Sequence, residues 1–240
     1  MRARLAKLLR CLATPRYLRV LVKHGVAAAS EHEPLLAPLR CRTILDIGAN
    51  RGQFALAARH CFPEARIISF EPLAAPAEVF AAVFRSDKSV TLHQAAIGPE
   101  RGRALIHISG RDDSSSLLRI TARQNSLFPG TAEVGIAEIV VAPLQDFLDA
   151  GKIEAPALLK LDVQGFELQA LRGCEPVMDR FDYIYAECSF LELYEGQALA
   201  DEVIDWLRER GFRLAGVHNV AYRDGQAVQA DMLFKSKACT

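Results

Sequence analysis

The 240-residue sequence lacks the features that mark membrane-spanning, secreted and zinc-binding chains. No hydrophobic run approaches the roughly 20 residues that span a bilayer. Its six cysteines form no Cys-x-x-Cys pair and no Cys/His cluster at zinc spacing. Charges at Arg10, Arg16, Arg19 and Lys23 interrupt every apolar segment that could serve as a secretory signal. We therefore expect a cytoplasmic chain with reduced thiols.

The chain also lacks net charge, yet its charges are unevenly distributed. Residues 1–42 carry nine Lys or Arg against two Glu, a balance of +7 that the remainder offsets. Such a segment could contact an anionic membrane surface peripherally. The alternative is the solvated face of amphipathic helices, because leucines are interleaved with the charges. We expect no nucleic-acid partner, and the sequence indicates no particular oligomeric state.

From Thr43 onward, short apolar segments alternate with amphipathic ones, which is typical of a parallel sheet covered by helices on both faces. The pattern predicts a Rossmann-like α/β fold with a doubly wound, mostly parallel sheet. We expect residues 1–42 to form a helical N-terminal cap and residues 43–240 to form one ligand-binding domain with an insertion at about 97–140. In this insertion, 104–108 and 138–141 are predicted strands and 110–130 is a predicted polar loop. Predicted strands are 43–47, 66–70, 90–95, 157–161, 181–186 and 212–217, then a hairpin over 221–234 around Asp224-Gly225; predicted helices are 52–60, 75–84, 143–149, 166–171 and 199–210.

A glycine-rich turn, Asp46 to Gly52, follows the first predicted strand and opens a helix, so a ligand could lie against its backbone. The turn is not a P-loop, because a P-loop needs Lys and then Ser or Thr after its last glycine, and here Gln53 follows Gly52. It is not a dinucleotide-binding motif either, because Asn50 stands where G-x-G-x-x-G requires its second glycine. Glu71 ends the second strand, where a carboxylate can accept both ribose hydroxyls. This favours an adenosine-containing ligand without phosphates, whose positive charge Asp46 would complement. A tight turn in an unliganded domain is the alternative.

Six segments in order resemble the FkbM-type family of class I S-adenosylmethionine-dependent methyltransferases, over residues 43–235. The segments are Leu45 to Gly52, Phe70-Glu71-Pro72, Ala95 to Gly98, Ser114 to Leu117, Leu159 to Glu167 and Ala230 to Phe234. The resemblance implies a seven-stranded sheet with an antiparallel last hairpin and S-adenosyl-L-methionine as cofactor. It also implies methyl transfer to a hydroxyl of a small-molecule or glycan acceptor, of the polyketide or sugar type.

By position, the resemblance implies a set of cofactor-binding residues. They are Asp46, Gly48, Ala49, Asn50 and Gly52 around the methionine part, Glu71 with Pro72 at the ribose, Gln94, Ala95 and Ala96 beside the adenine, and Asp162.

Two carboxylates are the candidates for catalysis. Asp162 ends the fourth strand, at the edge where open α/β sheets bind ligands, and could accept the proton of an acceptor hydroxyl. Alternatively, it orients the cofactor amine or caps the next helix. Glu187 ends the fifth strand and could share this work as base or substrate anchor, or the pair could hold a divalent metal. No third ligand is evident, so we expect no metal site.

For the other polar residues, a structural role is the alternative to a functional one. We interpret Lys160 as a structural partner of a carboxylate, and His93, His107 and His218 as satisfied polar residues, of which His218 is the best alternative base. Ser114, Ser115 and Ser116 could contact a polyhydroxylated acceptor or cap a turn. Two competing functions are a nicotinamide-dependent oxidoreductase, which also needs Glu71, and a cofactor-binding scaffold without catalysis.

Overall fold

Seven strands form one sheet in a computed structural model that describes residues 2–238, with side chains from Lys7 onward except that of residue 8. Three further strands form a second, small sheet. The strands are β1 (Thr43–Ile47), β2 (Arg66–Phe70), β3 (Val90–His93), β4 (Ala96–Ile97), β5 (Gly102–Ser109), β6 (Glu133–Ala142), β7 (Ala157–Leu161), β8 (Tyr183–Ser189), β9 (Phe212–Arg223) and β10 (Gln226–Ser236).

Eight α-helices accompany these strands in the described part of the chain. They are α1 (Arg2–Ala13), α2 (Pro15–His24), α3 (Glu33–Leu36), α4 (Gln53–Cys61), α5 (Ala74–Phe84), α6 (Ala122–Leu127), α7 (Glu167–Cys174) and α8 (Ala200–Glu209). Short 3-10 turns include Ser30–His32, just before α3. No helix in residues 2–238 combines the length and apolar character needed to cross a membrane.

The large sheet has the order β3-β2-β1-β7-β8-β10-β9. Its first five strands are parallel, and β10 pairs antiparallel with both β8 and β9. The predicted doubly wound sheet with an antiparallel last hairpin is therefore confirmed. The chain winds from β1 outward to β3 and then returns to β7 beside β1. This reversal opens a crevice at the carboxyl ends of β1 and β7, where such folds bind ligands.

Two hydrophobic clusters cover the two faces of this sheet. One face packs against α7 and α8 through Leu45, Leu159 and Leu171, all buried. The other packs against α4 and α5, and it also receives Tyr17 and Leu36 from the N-terminal helices. The cap helices therefore share a core with the helices that flank β1 and β2.

Several basic residues of the N-terminal segment pair with acidic residues of the same chain. Lys7 lies 2.7 Å from Glu31, Arg10 lies 2.7 Å from Glu33, and Arg16 lies 3.2 Å from Asp87. Part of the positive charge that the sequence concentrates here is thus neutralised within the fold.

Four local predictions need correction. Residues 143–149 do not form an α-helix but a 3-10 turn, because the side chain of Asp149 accepts the N–H of Gly151 and starts a separate turn. The predicted third strand ends two residues early, since the chain turns at His93 toward the second sheet. The last hairpin is longer than predicted, with an irregular register near Asn219 where apolar alternation fails. Inside the supposed loop, Thr121 caps an unpredicted α6 by accepting the N–H of Gln124.

The remaining insertion folds as the small sheet β4-β6-β5, whose strands include the predicted ones at 104–108 and 138–141. Five cysteines are free among the described residues, and Cys239 lies outside them.

Candidate active site

The turn after β1 has a backbone that few side chains would permit. Gly48, Asn50 and Gly52 all have positive φ, at 78°, 48° and 91°. A Cβ on Gly48 would overlap the backbone oxygen of Asp162, the residue that directly follows the neighbouring strand β7. The N–H groups of Gly48 and Ala49 both donate to the oxygen of Phe70 at 3.0 Å. The turn is thereby held against both strands that flank β1.

Glu71 fixes the other side of this turn. Its Oε2 accepts the N–H of Asn50 and its Oε1 accepts the N–H of Leu73, both at 2.9 Å. Burial raises the pKa of this carboxyl to about 7, although the two backbone donors act in the opposite direction. Each oxygen keeps acceptor capacity for a further donor, as the recognition of a ribose diol requires.

Lys160 lies beneath the turn. Its contact with Asp46 confirms the prediction that it is the structural partner of a carboxylate. Its Nζ donates to the oxygen of Gly48 at 2.9 Å and lies 2.9 Å from Oδ1 of Asp46 and 4.0 Å from Oδ2 of Asp162. Burial alone would lower the pKa of Lys160, but the neighbouring carboxylates outweigh it and raise this pKa. Burial raises the pKa of Asp46, although Lys160 opposes this shift. The buried pair supports the turn from below.

Asp162 belongs to a polar network at the end of β7. The side chain of Gln164 donates through Nε2 to Oδ1 of Asp162 at 2.7 Å and to Oε2 of Glu187 at 2.9 Å. Its Oε1 accepts the hydroxyl of Tyr194 at 2.7 Å, and its backbone oxygen accepts that of Ser116 at 2.7 Å. Gln164, whose backbone has a positive φ of 56°, thus fixes the carboxylate of Asp162 through its side-chain amide.

Glu187 lies behind this network and is partly buried. Burial, followed by the charges of Asp162 and Asp231, raises the pKa of Glu187 well above its ordinary value. Since an amide donor lies between Glu187 and Asp162, the two carboxylates share that donor instead of flanking an open cation position.

A cavity of about 240 Å³ opens between the turn, Glu71 and Asp162. Eight of the residues predicted for the site line it: Gly48, Ala49, Asn50, Glu71, Pro72, Ala95, Ala96 and Asp162. Among the Ser residues weighed for the acceptor, Ser115 and Ser116 line it as well.

Four predicted site residues are not among the lining residues. Asp46 is fully buried and paired with Lys160, so its charge is directed at that ammonium group. Gly52 faces α5, where a Cβ would meet Phe84 at 2.7 Å. Gln94 is exposed on the turn after β3, and Glu187 lies behind Gln164.

Gln53 and His32 are among the lining residues that were not predicted for the site. Within residues 2–238, Oε1 of Gln53 and Oδ1 of Asn50 are buried acceptors without a hydrogen-bond partner. Unpartnered buried acceptors beside a cavity are suited to a ligand that donates hydrogen bonds. Gln53 directly follows the glycine turn, which was a usable signal. His32 lies 14 residues before the turn, in the cap, and no local motif marks it.

The histidines considered from sequence lie elsewhere. His93 stacks on Phe70 with centroids 5.1 Å apart, and His107 contacts Glu133 at 2.7 Å. His218 pairs across the hairpin with Asp231 but does not line the cavity. These positions keep all three away from the cavity.

Comparison with known proteins identifies a family. The profile described as the Methyltransferase FkbM domain matches residues 46–214. The 2-O-methyltransferase NoeI of Sinorhizobium fredii is 29% identical over 170 residues, covering 68% of this chain and 70% of that protein. Methyltransferase 1 of Beauveria bassiana is 27% identical over 144 residues, 55% of this chain and 58% of its own length. Cofactor-bound Rv0187 from MTB shares the fold, with a TM-score of 0.52 at 12% identity over 93% of this chain and 90% of that one.

The sheet order, the antiparallel last hairpin and the family match define a class I methyltransferase, so the chain is an enzyme. It belongs to the FkbM methyltransferase family, as the sequence resemblance implied. Methyl transfer, rather than hydride transfer to a nicotinamide, is the activity of this family.

Proposed function

We propose that the protein uses S-adenosyl-L-methionine to methylate a hydroxyl oxygen of a small-molecule or glycan acceptor. The observation that carries this proposal is a cavity at the β1–β7 crevice whose lining acceptors lack hydrogen-bond donors. Glu71 presents a buried carboxyl to it, and Asn50 and Gln53 present buried amide oxygens without partners. A ligand with a diol and an ammonium group supplies donors of the kind these acceptors need.

The residues present fit this cofactor by their chemistry. The carboxyl of Glu71 would receive the ribose hydroxyls, and Ala95, Ala96 and Ile97 offer small apolar walls for the adenine. Asn50 and Gln53 would receive the ammonium group together with Asp162. When bound, S-adenosylmethionine supplies an electrophilic methyl group.

The rim of the cavity supports a hydroxylated acceptor. Asp112, Asp113 and Ser115 line it and offer oxygen acceptors and a hydroxyl. Such groups match an acceptor rich in hydroxyls, because carboxylate oxygens receive hydroxyl donors well. The relative from S. fredii is named a 2-O-methyltransferase, which supports oxygen as the methylated atom.

Asp162 is suited to anchor the reacting groups. Its side chain is 42% exposed at the cavity, while Gln164 and Lys160 hold it from the protein side. Correct placement of the acceptor against the methyl is a large part of such a reaction, since alignment replaces an improbable encounter.

The test is transfer of isotopically labelled methyl from S-adenosylmethionine to a panel of sugars and polyketide-type alcohols, analysed by mass spectrometry. We expect label on oxygen in at least one acceptor and none when its hydroxyls are blocked. Asp162→Asn should lower turnover at least tenfold, whereas Asp179→Asn, at a side chain that is 78% exposed, should not change it. Label on nitrogen or carbon would contradict O-methylation, and a protein that binds cofactor but labels no acceptor would favour the scaffold alternative.

A further inference from the structure

Four residues of the cap line the cavity, and His32 is the one with a side chain able to accept a proton at neutral pH; the lining residues are Lys7, Ala29, Glu31 and His32. His32 lies on the 3-10 turn Ser30–His32 and lines the same cavity as Gly48 and Asp162. Its ring packs edge-on against Phe54 of α4 and Tyr185 of β8, with centroids 5.5 Å apart in both cases. Two aromatic neighbours therefore fix the plane of the imidazole.

A chain of hydrogen bonds connects this ring to the partly buried carboxylate of Asp231. His32 Nδ1 lies 2.8 Å from the hydroxyl of Tyr185, which donates to Oδ2 of Asp231 at 2.9 Å. Asn219 donates to the same oxygen at 2.8 Å. Asp231 lies in the Ala230 to Phe234 segment, which contributes to the family resemblance but carried no predicted role.

The direction of these bonds selects a tautomer of His32. Tyr185 has one hydroxyl proton, and the carboxylate of Asp231 is the stronger acceptor for it. The hydroxyl oxygen must then accept from Nδ1–H of His32. The amide nitrogen of Asn219 also lies 3.3 Å from Nδ1, but it is itself a donor, and acceptors for its hydrogens lie at 2.8 Å (Asp231) and 3.4 Å (the Tyr185 hydroxyl). Among the described residues, the polar contacts of this ring all involve Nδ1, so the lone pair of Nε2 stays available. The base His32 is oriented by Tyr185, and Tyr185 is in turn held by the carboxylate of Asp231. This follows the logic of a catalytic triad, in which a further group orients the base.

We infer that His32 accepts the proton of the acceptor hydroxyl, with Tyr185 and Asp231 as positioning residues. The acceptor oxygen forms its bond to the methyl carbon while the electron pair of the carbon–sulfur bond stays with sulfur. The hydroxyl proton passes to Nε2 and leaves an imidazolium ion, whose Nδ1–H stays bonded through Tyr185 to Asp231. This role rests on the proposed function, and it leaves Asp162 as the anchor.

The charges around the ring agree with a neutral base at rest. Burial lowers the pKa of His32, and Lys160 acts in the same direction. Asp231, Glu31 and Asp162 oppose them; Glu31 is itself paired with Lys7. Tyr185 stays protonated, because burial and Asp231 raise its pKa. A neutral imidazole has the free lone pair that proton acceptance requires.

The test compares His32→Gln with the parent in two separate measurements. Calorimetry with S-adenosylhomocysteine should give the same affinity within threefold, whereas turnover should fall about 100-fold or more, the usual loss with a general base. At saturating S-adenosylmethionine, which removes the effect of pH on cofactor affinity, parent turnover should rise with pH to a plateau, and His32→Gln should lose this rise. Tyr185→Phe should retain the rise but reduce turnover less, since it removes only the orienting hydroxyl.

A second measurement does not depend on activity. Nitrogen NMR shifts of the folded parent at neutral pH should show His32 protonated at Nδ1 and unprotonated at Nε2, and Tyr185→Phe should weaken this preference. The Nε2–H tautomer in the parent, or His32→Gln with parental turnover and pH profile, would overturn the role while methyl transfer stands. A parent that neither binds S-adenosylhomocysteine nor methylates any acceptor would overturn the proposed function and this role together.

Discussion

Glu71, Gly48, Asn50 and Asp162 line one cavity because each lies at the carboxyl end of a parallel strand or in the turn that follows it. Local motifs fix backbone turns and strand ends, which is why these positions were predictable. Asp46 and Glu187 come from the same motifs, but their side chains meet Lys160 and Gln164 before the cavity. Such encounters depend on which side chains share a face of the folded sheet.

His32 shows the opposite case. Its partners Tyr185, Asn219 and Asp231 are 153, 187 and 199 positions away in the chain. Sequence spacing carries no signal of such contacts, so the position of His32 at the cavity could be recognised only from the folded structure.

The ionisation of Glu71 gives a testable pH dependence of cofactor binding. Its pKa is about 7, and a diol favours the ionised carboxylate as acceptor. Affinity should therefore be full above pH 7 and be lost as the pH falls through this value. Between pH 8 and pH 6 we expect an affinity loss for S-adenosylhomocysteine of about tenfold, measured by calorimetry.

Glu71→Gln is the control for this dependence, because an amide does not titrate. We expect it to bind more weakly at pH 8 and with nearly the same affinity at pH 6 and pH 8. If Glu71→Gln shows the pH slope of the parent, another group is responsible and Glu71 does not contact the diol.

At the scale of elements, strands β1, β2 and β7 have the predicted bounds, since apolar segments enclosed between turns leave little choice. The predicted helix over 143–149 was wrong because a short amphipathic pattern also fits two consecutive 3-10 turns. Helix α6 was missed, although Thr121 and Gln124 carry a capping pattern, because its polar composition is typical of a loop.

The β1–α4 turn should not tolerate a side chain at Gly48. Gly48→Ala would force its Cβ against the Asp162 backbone and displace the turn, so S-adenosylhomocysteine binding should fall below detection by calorimetry. Gly25→Ala is the matched control, since Gly25 also has positive φ but open space around the added Cβ. It should cost about 1–2 kcal/mol of stability and leave binding unchanged. Normal binding by Gly48→Ala would mean that the turn does not form the cofactor site.

At the scale of the molecule, residues 1–42 do more than cover the sheet. Leu36 and Tyr17 join the core with α4, and the turn between α2 and α3 brings His32 to the cavity. The helical character of this segment followed from its sequence. The contribution of this segment to the cavity could not be predicted from the sequence. Amphipathic periodicity shows that one face of a helix is buried, but it does not identify the residues that this face contacts.

This shared core predicts one cooperative unfolding transition. Leu36→Ala removes a fully buried side chain and should reduce the free energy of unfolding by about 2–5 kcal/mol. Fluorescence of the single Trp206, on α8 across the sheet, should shift to lower urea together with circular dichroism. Val22→Ala, at a residue 79% exposed, should change stability by less than about 0.5 kcal/mol. A Leu36→Ala transition seen by circular dichroism but not by Trp206 would show that the cap unfolds separately.

The most direct test of the central claim is a calorimetric titration of the purified protein with S-adenosylhomocysteine and, separately, with NAD. The crevice between β1 and β7, with Glu71 and no phosphate-binding glycine pattern, should give saturable one-to-one binding of S-adenosylhomocysteine and no measurable binding of NAD. No heat and no thermal shift with S-adenosylhomocysteine, or tighter binding of NAD, would contradict the account.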